Sequence, residues 1–228
     1  MGRWLLSRVG CDCPLCGARV AGARLCEGCE ADIRGGPPPR CPRCALAQRP
    51  DTPHCAACLG TPWAFSRTVA AFDYAPPADT LILMLKTRLR LSMAPVLARL
   101  IAAAAARDAP LLDGALLAAI PASRASLRQR GMNPAAEIAR SLAAELNLQV
   151  ARGLLRRRRE APRQTGQGRR ARRLGAQNVF YCVGDVRGRH VLVVDDVMTT
   201  GSTANDAASA LLAAGAASVT MLVAARTP

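Results

Sequence analysis

Four apolar residues run straight into two carboxylates at Val191-Leu-Val-Val-Asp-Asp196, and this stretch limits the fold more than any other. A continuous apolar run of that length fits a strand covered on both faces, the kind that builds parallel sheets between helices. Buried apolar neighbours would not tolerate Asp195 and Asp196. They are therefore expected at the strand's carboxyl end, outside its buried part, where open α/β sheets bind ligands. Small, mostly hydroxyl-bearing residues come next: Thr199, Thr200, Gly201, Ser202 and Thr203. From Ala204 to Ala214, apolar residues at 207, 208, 211 and 212 form a helical stripe, with Gly215 expected as the residue that ends it.

A strand thus feeds a hydroxyl-rich loop that opens a helix. Free backbone N–H groups, the positive end of the helix dipole and four hydroxyls converge there, which suits a phosphate monoester. Gly201 is expected to let the phosphate approach the loop backbone. The adjacent carboxylates can accept hydrogen bonds from vicinal hydroxyls or hold Mg²⁺. Phosphate plus a diol describes a ribose 5-phosphate. The stretch resembles the signature with which type I phosphoribosyltransferases bind 5-phosphoribosyl 1-pyrophosphate (PRPP). That resemblance implies that Asp195 and Asp196 grip the ribose 2′ and 3′ hydroxyls, while residues 199–203 hold the 5′-phosphate.

At 228 residues, the chain has room for one or two domains. Aromatic residues make up only 3% of it, so a core must be assembled from Ala, Leu and Val. The formal charge of +15 calls for an anionic partner: phosphorylated metabolites, nucleic acid, or both. The apolar run at Trp4-Leu5-Leu6 is too short for a signal peptide, and Leu100 to Ala106 is too short to span a bilayer. A soluble cytoplasmic protein without membrane insertion is expected.

Nine of the ten cysteines lie between residues 11 and 58, eight of them in four C-x₂-C pairs. These are Cys13/Cys16, Cys26/Cys29, Cys41/Cys44 and Cys55/Cys58. A C-x₂-C turn points two thiolates at one tetrahedral ion, and two turns complete a Cys₄ site. The eight ligands make two structural Zn²⁺ sites, either in chain order or interleaved. Cys11 is a spare that could replace Cys13. Gly35-Gly-Pro-Pro-Pro39 reads as a spacer between two ribbons. Disulfides are disfavoured, because cytosolic thiols stay reduced. Metal should hold this region folded, since it is too small to bury a core of its own.

Arg67 to Tyr74 reads as the first strand of a second domain with a separate core. A helix capped by Asp79 is expected to run to about Leu91. It carries Lys86, the only lysine in the chain; its retention among arginines fits a need for a compact ammonium, while its position alone suggests a solvated helix face. Met93 to Arg107 is a second helix, and Ala115 to Ile120 a buried strand. A polar, basic loop from Ala122 to Gly131 follows, and its Arg124, Arg128 and Arg130 suit a pyrophosphate. Asn133-Pro134 caps a third helix. Arg152 to Arg173, with ten arginines and one glutamate, reads as a mobile basic loop. A short strand at 178–182 precedes the central strand, and Ser218 to Ala225 is the last. Cys182 reads as a buried small hydrophobe.

Taken together, the chain resembles the ComF family, which joins an N-terminal double zinc ribbon to a type I phosphoribosyltransferase-like α/β domain with a parallel sheet. The basic turn is matched by Arg128-Gln-Arg-Gly-Met-Asn133, and the family's lid by Arg157, Arg159 and Gln164, then Arg172 and Phe180. The ribose-phosphate signature is matched at 191–203. Met132, Pro134, Ala161, Gly175 and the Thr87-Arg-Leu that follows Lys86 depart from the family pattern. The resemblance implies a double ribbon over residues 8–62 and a phosphoribosyltransferase-like domain over 66–228. It implies PRPP with Mg²⁺ as the ligand and the arginines at 128, 130, 157 and 159 as its pyrophosphate contacts. It also implies a link to DNA uptake or utilisation, with single-stranded DNA and competence or DNA-processing proteins as partners. An alternative is a non-catalytic nucleic-acid-binding or assembly protein that uses the ribbons and the basic lid. No residue stands out as a base: His54 lies between zinc ligands and His190 at the start of the central strand.

Overall fold

The computed structural model describes residues 10–35, 39–48, 54–108, 114–158 and 179–228. Among them the chain begins with a small antiparallel hairpin, β1 (Gly10–Asp12) and β2 (Arg19–Ala21), followed by helix α1 (Glu27–Arg34) and a short helix α2 (Ala56–Leu59). Then come β3 (Arg67–Asp73), α3 (Asp79–Lys86), α4 (Met93–Asp108), β4 (Leu116–Ala119), α5 (Arg124–Arg130) and α6 (Pro134–Glu145). The chain closes with β5 (Leu155–Arg157), β6 (Phe180–Cys182), β7 (His190–Met198), α7 (Ser202–Ala213) and β8 (Ser218–Arg226).

The central sheet is parallel in the order β3-β8-β7-β4, so the apolar run at 191–194 lies in an interior strand. Leu192 and Val194 face a layer of α3, α4 and α6, where Leu81, Leu85, Leu97, Ile101, Ile138 and Leu142 are buried. Val191 and Val193 face α7, through Ala204, Ala207, Ala208 and Leu211. Alternation along one strand therefore feeds two cores, and a helix-covered parallel sheet results. No helix among the described residues is long and apolar enough to cross a membrane.

Connectivity opens a crevice at the carboxyl end. From β4 the chain enters α6 on the α4 face and emerges at Val150, which bridges Leu117 in parallel on the far side of β4. From β7 the chain enters α7 on the opposite face and returns to β8, on the other side. Neighbouring strands thus send their connections in opposite directions, the topological switch point where such sheets take ligands.

Several sequence expectations are corrected. The central strand does not stop before the acids: β7 runs through Asp195 and Asp196 to Met198, with Asp195 opposite Val223 and Val197 opposite Ala225. β8 accompanies it throughout, whereas β4 ends at Ala119 opposite Val194. The acids emerge beside the shorter strand, which is why a strand can hold them. The basic loop after β4 is a helix, α5, capped by the Ser123 hydroxyl on the Ser126 N–H and closed by Gly131 at φ 72°. Helix α3 ends at Lys86 and not near Leu91. The start of the basic segment is β5, paired antiparallel with β6, and Cys182 is half-buried.

The ribbons do not have cores separate from the sheet. Cys13 and Leu25 are buried against the α3–α4 layer, and Arg99 of α4 donates to the Ala23 carbonyl. Cys41, Cys44, Cys55 and Cys58 belong to the same apolar cluster as Phe65, β7 and α7.

Candidate functional site

Sγ atoms of Cys13, Cys16, Cys26 and Cys29 all lie within 4.8 Å of one another, as do those of Cys41, Cys44, Cys55 and Cys58. Pairing therefore follows chain order, and Cys11 stays outside both groups. A Zn²⁺ about 2.3 Å from each of four sulfurs would hold them about 3.8 Å apart, close to the 3.5 Å between Cys16 and Cys26 and the 3.4 Å between Cys44 and Cys55. Burial opposes ionisation of Cys13, but backbone hydrogen bonds from Cys26, Cys16 and Leu15 outweigh it and bring the thiol down to about 6. Cys41 is brought down to about 7 against its burial by the backbone of Cys55, Cys44 and Arg43. Burial and the neighbouring thiols push Cys29 and Cys58 up. Without a cation four sulfurs cannot all ionise, whereas a Cys₄ donor set suits a closed, structural Zn²⁺ site.

Gly201 adopts φ 82° and precedes α7, whose first intrahelical bond runs from the Asn205 N–H to the Gly201 carbonyl at 2.8 Å. The amides just inside the helix have no helical acceptor of their own. The Thr200 and Ser202 hydroxyls lie 3.0 Å apart, and the side chains of Thr199, Thr200, Ser202 and Thr203 are exposed around this helix start. Beneath them a cavity of about 30 Å³ is lined by Asp195, Met198, Gly201, Thr203, Met221 and Val223. That is room for a water molecule, so a phosphate ester would rest on the loop's exposed side. Gly201 itself is buried. A Cβ there would lie 2.9 Å from Met198 Cε and 3.5 Å from the Trp63 ring. Its positive φ and this packing require glycine, and not the approach of a phosphate from outside.

The two acids differ. Asp195 lines the cavity under the loop and accepts the Asp196 N–H at 2.9 Å. Burial, then the Asp196 charge, raises its carboxyl from 3.8 to about 7, while the Asp196 amide and the Lys86 charge pull it back. Asp196 is 8% exposed and meets Lys86 Nζ at 2.8 Å from its Oδ1. The single lysine therefore sits at the end of α3, half-buried against the acid pair and not on a solvated face. Its distance in sequence concealed this; its being the one Lys among arginines was the available signal.

Arg128 and Arg130 occupy the last turn of α5, which lies between β4 and α6 in the chain. Among the described residues neither has an ion-pair partner. The Asn133 side chain donates to the Ile120 carbonyl at 2.9 Å, tying the start of α6 to the end of β4. Arg157 lies over the Phe180 ring, 5.4 Å from its centroid, and its charge acts on Asp206 of α7. Arg159, Ala161, Gln164, Arg172 and Gly175 lie outside the described residues. His190, bonded to Ser218 at 2.7 Å, is at the amino end of β7, away from the crevice.

A residue not singled out by the sequence stands behind the loop. Arg226 ends β8 and is 7% exposed. Its guanidinium donates to the carbonyls of Cys44 at 2.9 Å, Met198 at 3.2 Å and Thr199 at 2.5 Å. An arginine closing an eight-residue run of mostly apolar β8 residues was the visible sign.

A parallel sheet with this crevice, acid pair and hydroxyl loop defines a protein of the type I phosphoribosyltransferase class. Comparison with known families agrees: the phosphoribosyl transferase domain matches residues 126–228. The DNA utilization protein YhgH of Escherichia coli (strain K12) is 34% identical over 182 residues, covering 78% of this chain and 80% of the relative. Competence protein F of Haemophilus influenzae is 30% identical over 194 residues, 82% of this chain and 83% of the relative. A ribose-phosphate pyrophosphokinase of Granulibacter bethesdensis is 36% identical over 83 residues, 36% of this chain and 22% of that protein. The chain belongs to the ComF family, with two N-terminal four-cysteine clusters preceding a phosphoribosyltransferase-type domain.

Proposed function

We propose that the protein binds PRPP together with Mg²⁺ and serves, as a phosphoribosyltransferase-like protein, in the use of external DNA. One observation carries the PRPP reading: the exposed hydroxyls of residues 199–203 surround the start of α7 directly beside Asp195, at the switch point. The loop amides and hydroxyls receive the 5′-phosphate. Asp195 and Asp196 accept the ribose hydroxyls. Lys86 holds the Asp196 carboxylate in place and keeps one positive charge beside the pair. Arg128 and Arg130 take the pyrophosphate, assisted by Arg157 and Arg159 of the lid. Mg²⁺ would neutralise pyrophosphate oxygens and favour their departure. Transfer from C1 then needs positioning and stabilisation of the leaving pyrophosphate by this chain.

Residues 8–62 form the double ribbon in this reading and 66–228 the PRPP-binding part, with one structural Zn²⁺ in each cysteine cluster. The DNA link rests on relatives whose names carry DNA utilization and competence, and on a net charge of +15, which suits single-stranded DNA. The test is calorimetric titration of the zinc-loaded protein with PRPP, with and without Mg²⁺, against ribose 5-phosphate and inorganic phosphate. Saturable PRPP binding strengthened by Mg²⁺ is expected. No heat with PRPP in the presence of Mg²⁺ overturns the reading.

A further inference from the structure

The second cysteine cluster is tied to the strand ends that carry the proposed phosphate loop, and the segment that follows it packs on the loop. At the carboxyl ends of β3, β8 and β7, the residues Asp73, Arg226 and Met198 stand in register. Arg226 bonds forward to the Met198 and Thr199 carbonyls, where the loop leaves β7, and backward to the carbonyl of Cys44. Arg40, one residue before Cys41, reaches Asp73 at 2.7 Å and the Ala45 carbonyl at 2.9 Å, which clamps the same knuckle to the same row. On the other side of the loop, Trp63 lies beneath Gly201 and stacks on Phe65 at 5.3 Å. The neighbouring Ala64 N–H donates to Asn205 Oδ1 of α7 at 2.8 Å.

The Arg226 Nε donates to the Cys44 carbonyl while its Nη1 donates to the carbonyls of Met198, Thr199 and Thr227, so losing the Cys44 side leaves a buried charge short of an acceptor. The Cys44 carbonyl is held in place only while the knuckle around it is folded, and the knuckle's fold depends on its metal. Among the described residues the first cluster has no comparable contact: it rests on α3 and α4, on the other face of the sheet.

We infer that Arg226 is a positioning residue that makes the second cysteine cluster, and not the first, part of the support of the phosphate loop. The conformation of residues 198–205 then depends on Zn²⁺ in the second cluster. The consequence for ligand affinity rests on the proposed PRPP reading; the mechanical coupling does not.

Two readouts separate these. Amide hydrogen exchange across 198–205 reports the loop without any ligand. Titration with ribose 5-phosphate reports binding. Arg226→Met should keep two Zn²⁺ per chain, speed exchange of the Asn205 amide at least tenfold and weaken ribose 5-phosphate at least tenfold. Arg226→Lys should fall between Met and wild type, since an ammonium reaches fewer of the carbonyls. Cys44→Ser should match Arg226→Met, and Cys16→Ser should leave the loop within about twofold of wild type. Should Arg226→Met fail to fold, Asn205→Ala, which removes the Ala64 acceptor, and graded chelation of the wild-type protein provide the same comparison. Unchanged loop exchange in the Arg226 or Cys44 variants, or an equal response to Cys16→Ser, overturns the inference. Exchange coupling in the variants, with a wild-type protein that binds neither PRPP in the presence of Mg²⁺ nor ribose 5-phosphate, would support the inference while removing the PRPP reading.

Discussion

Asp195 carries the largest electrostatic cost at the crevice. Burial and the charge of Asp196 raise its carboxyl from 3.8 to about 7. A carboxylate with a raised folded-state value favours folding at low pH, and that advantage is lost as pH climbs from the unfolded value toward the folded one. The loss runs at about 1.4 kcal/mol per pH unit across that window and ends near pH 7. Asp195→Asn removes the charge and should therefore stabilise the protein increasingly with pH. Between pH 5.5 and pH 8, its advantage in urea unfolding should grow by about 2 kcal/mol. An equal difference at both pH values would contradict the burial cost. At this scale the sequence was legible where charge interrupts an apolar pattern. The acid pair showed itself that way. Arg226 carries the same signature at the end of β8, but a terminal arginine is ordinarily solvated, so the pattern by itself does not announce a buried role. Lys86 could not be paired with Asp196 from sequence, since 110 residues separate them and only the sheet order joins α3 to the end of β7.

Elements were legible in kind and less so at their ends. The apolar run at 191–194 identified β7, but the limit of the strand is set by its neighbours. Pairing with β8 carries it on to Met198, past the point where β4 leaves. Residues 124–130 read as a loop because charge dominated the reading. Yet Arg, Leu and Gln are good helix formers, and Ser123 supplies a cap. In the proposed reading the helix matters because it carries Arg128 and Arg130 on one short element between β4 and α6. If α5 serves the pyrophosphate, Arg128→Ala combined with Arg130→Ala should weaken PRPP at least tenfold. Ribose 5-phosphate, which lacks the pyrophosphate, should bind within about twofold of wild type. Equal losses for both ligands in paired calorimetric titrations would place these arginines at the 5′-phosphate or remove them from the site.

For the molecule as a whole, C-x₂-C spacing revealed two four-cysteine sites, but not that they share cores with the sheet. Nothing in local spacing says which face of a distant strand a knuckle will cover. The two clusters also meet solvent differently. All four sulfur residues of the second are buried, whereas in the first Cys16 is exposed and Cys26 and Cys29 only half-buried. Access of an oxidant or alkylating reagent to sulfur governs how fast a thiolate site is attacked. Under a mild electrophile such as N-ethylmaleimide, followed with a colorimetric chelator, Zn²⁺ should leave in two equal phases at least tenfold apart in rate. Cys16→Ser, which weakens the exposed site beforehand, should leave only the slow phase. A single rate would show the two sites to be equally vulnerable. Two phases would make the exposed cluster the sacrificial one, its metal lost first under attack while the carbonyl of Cys44 still anchors Arg226.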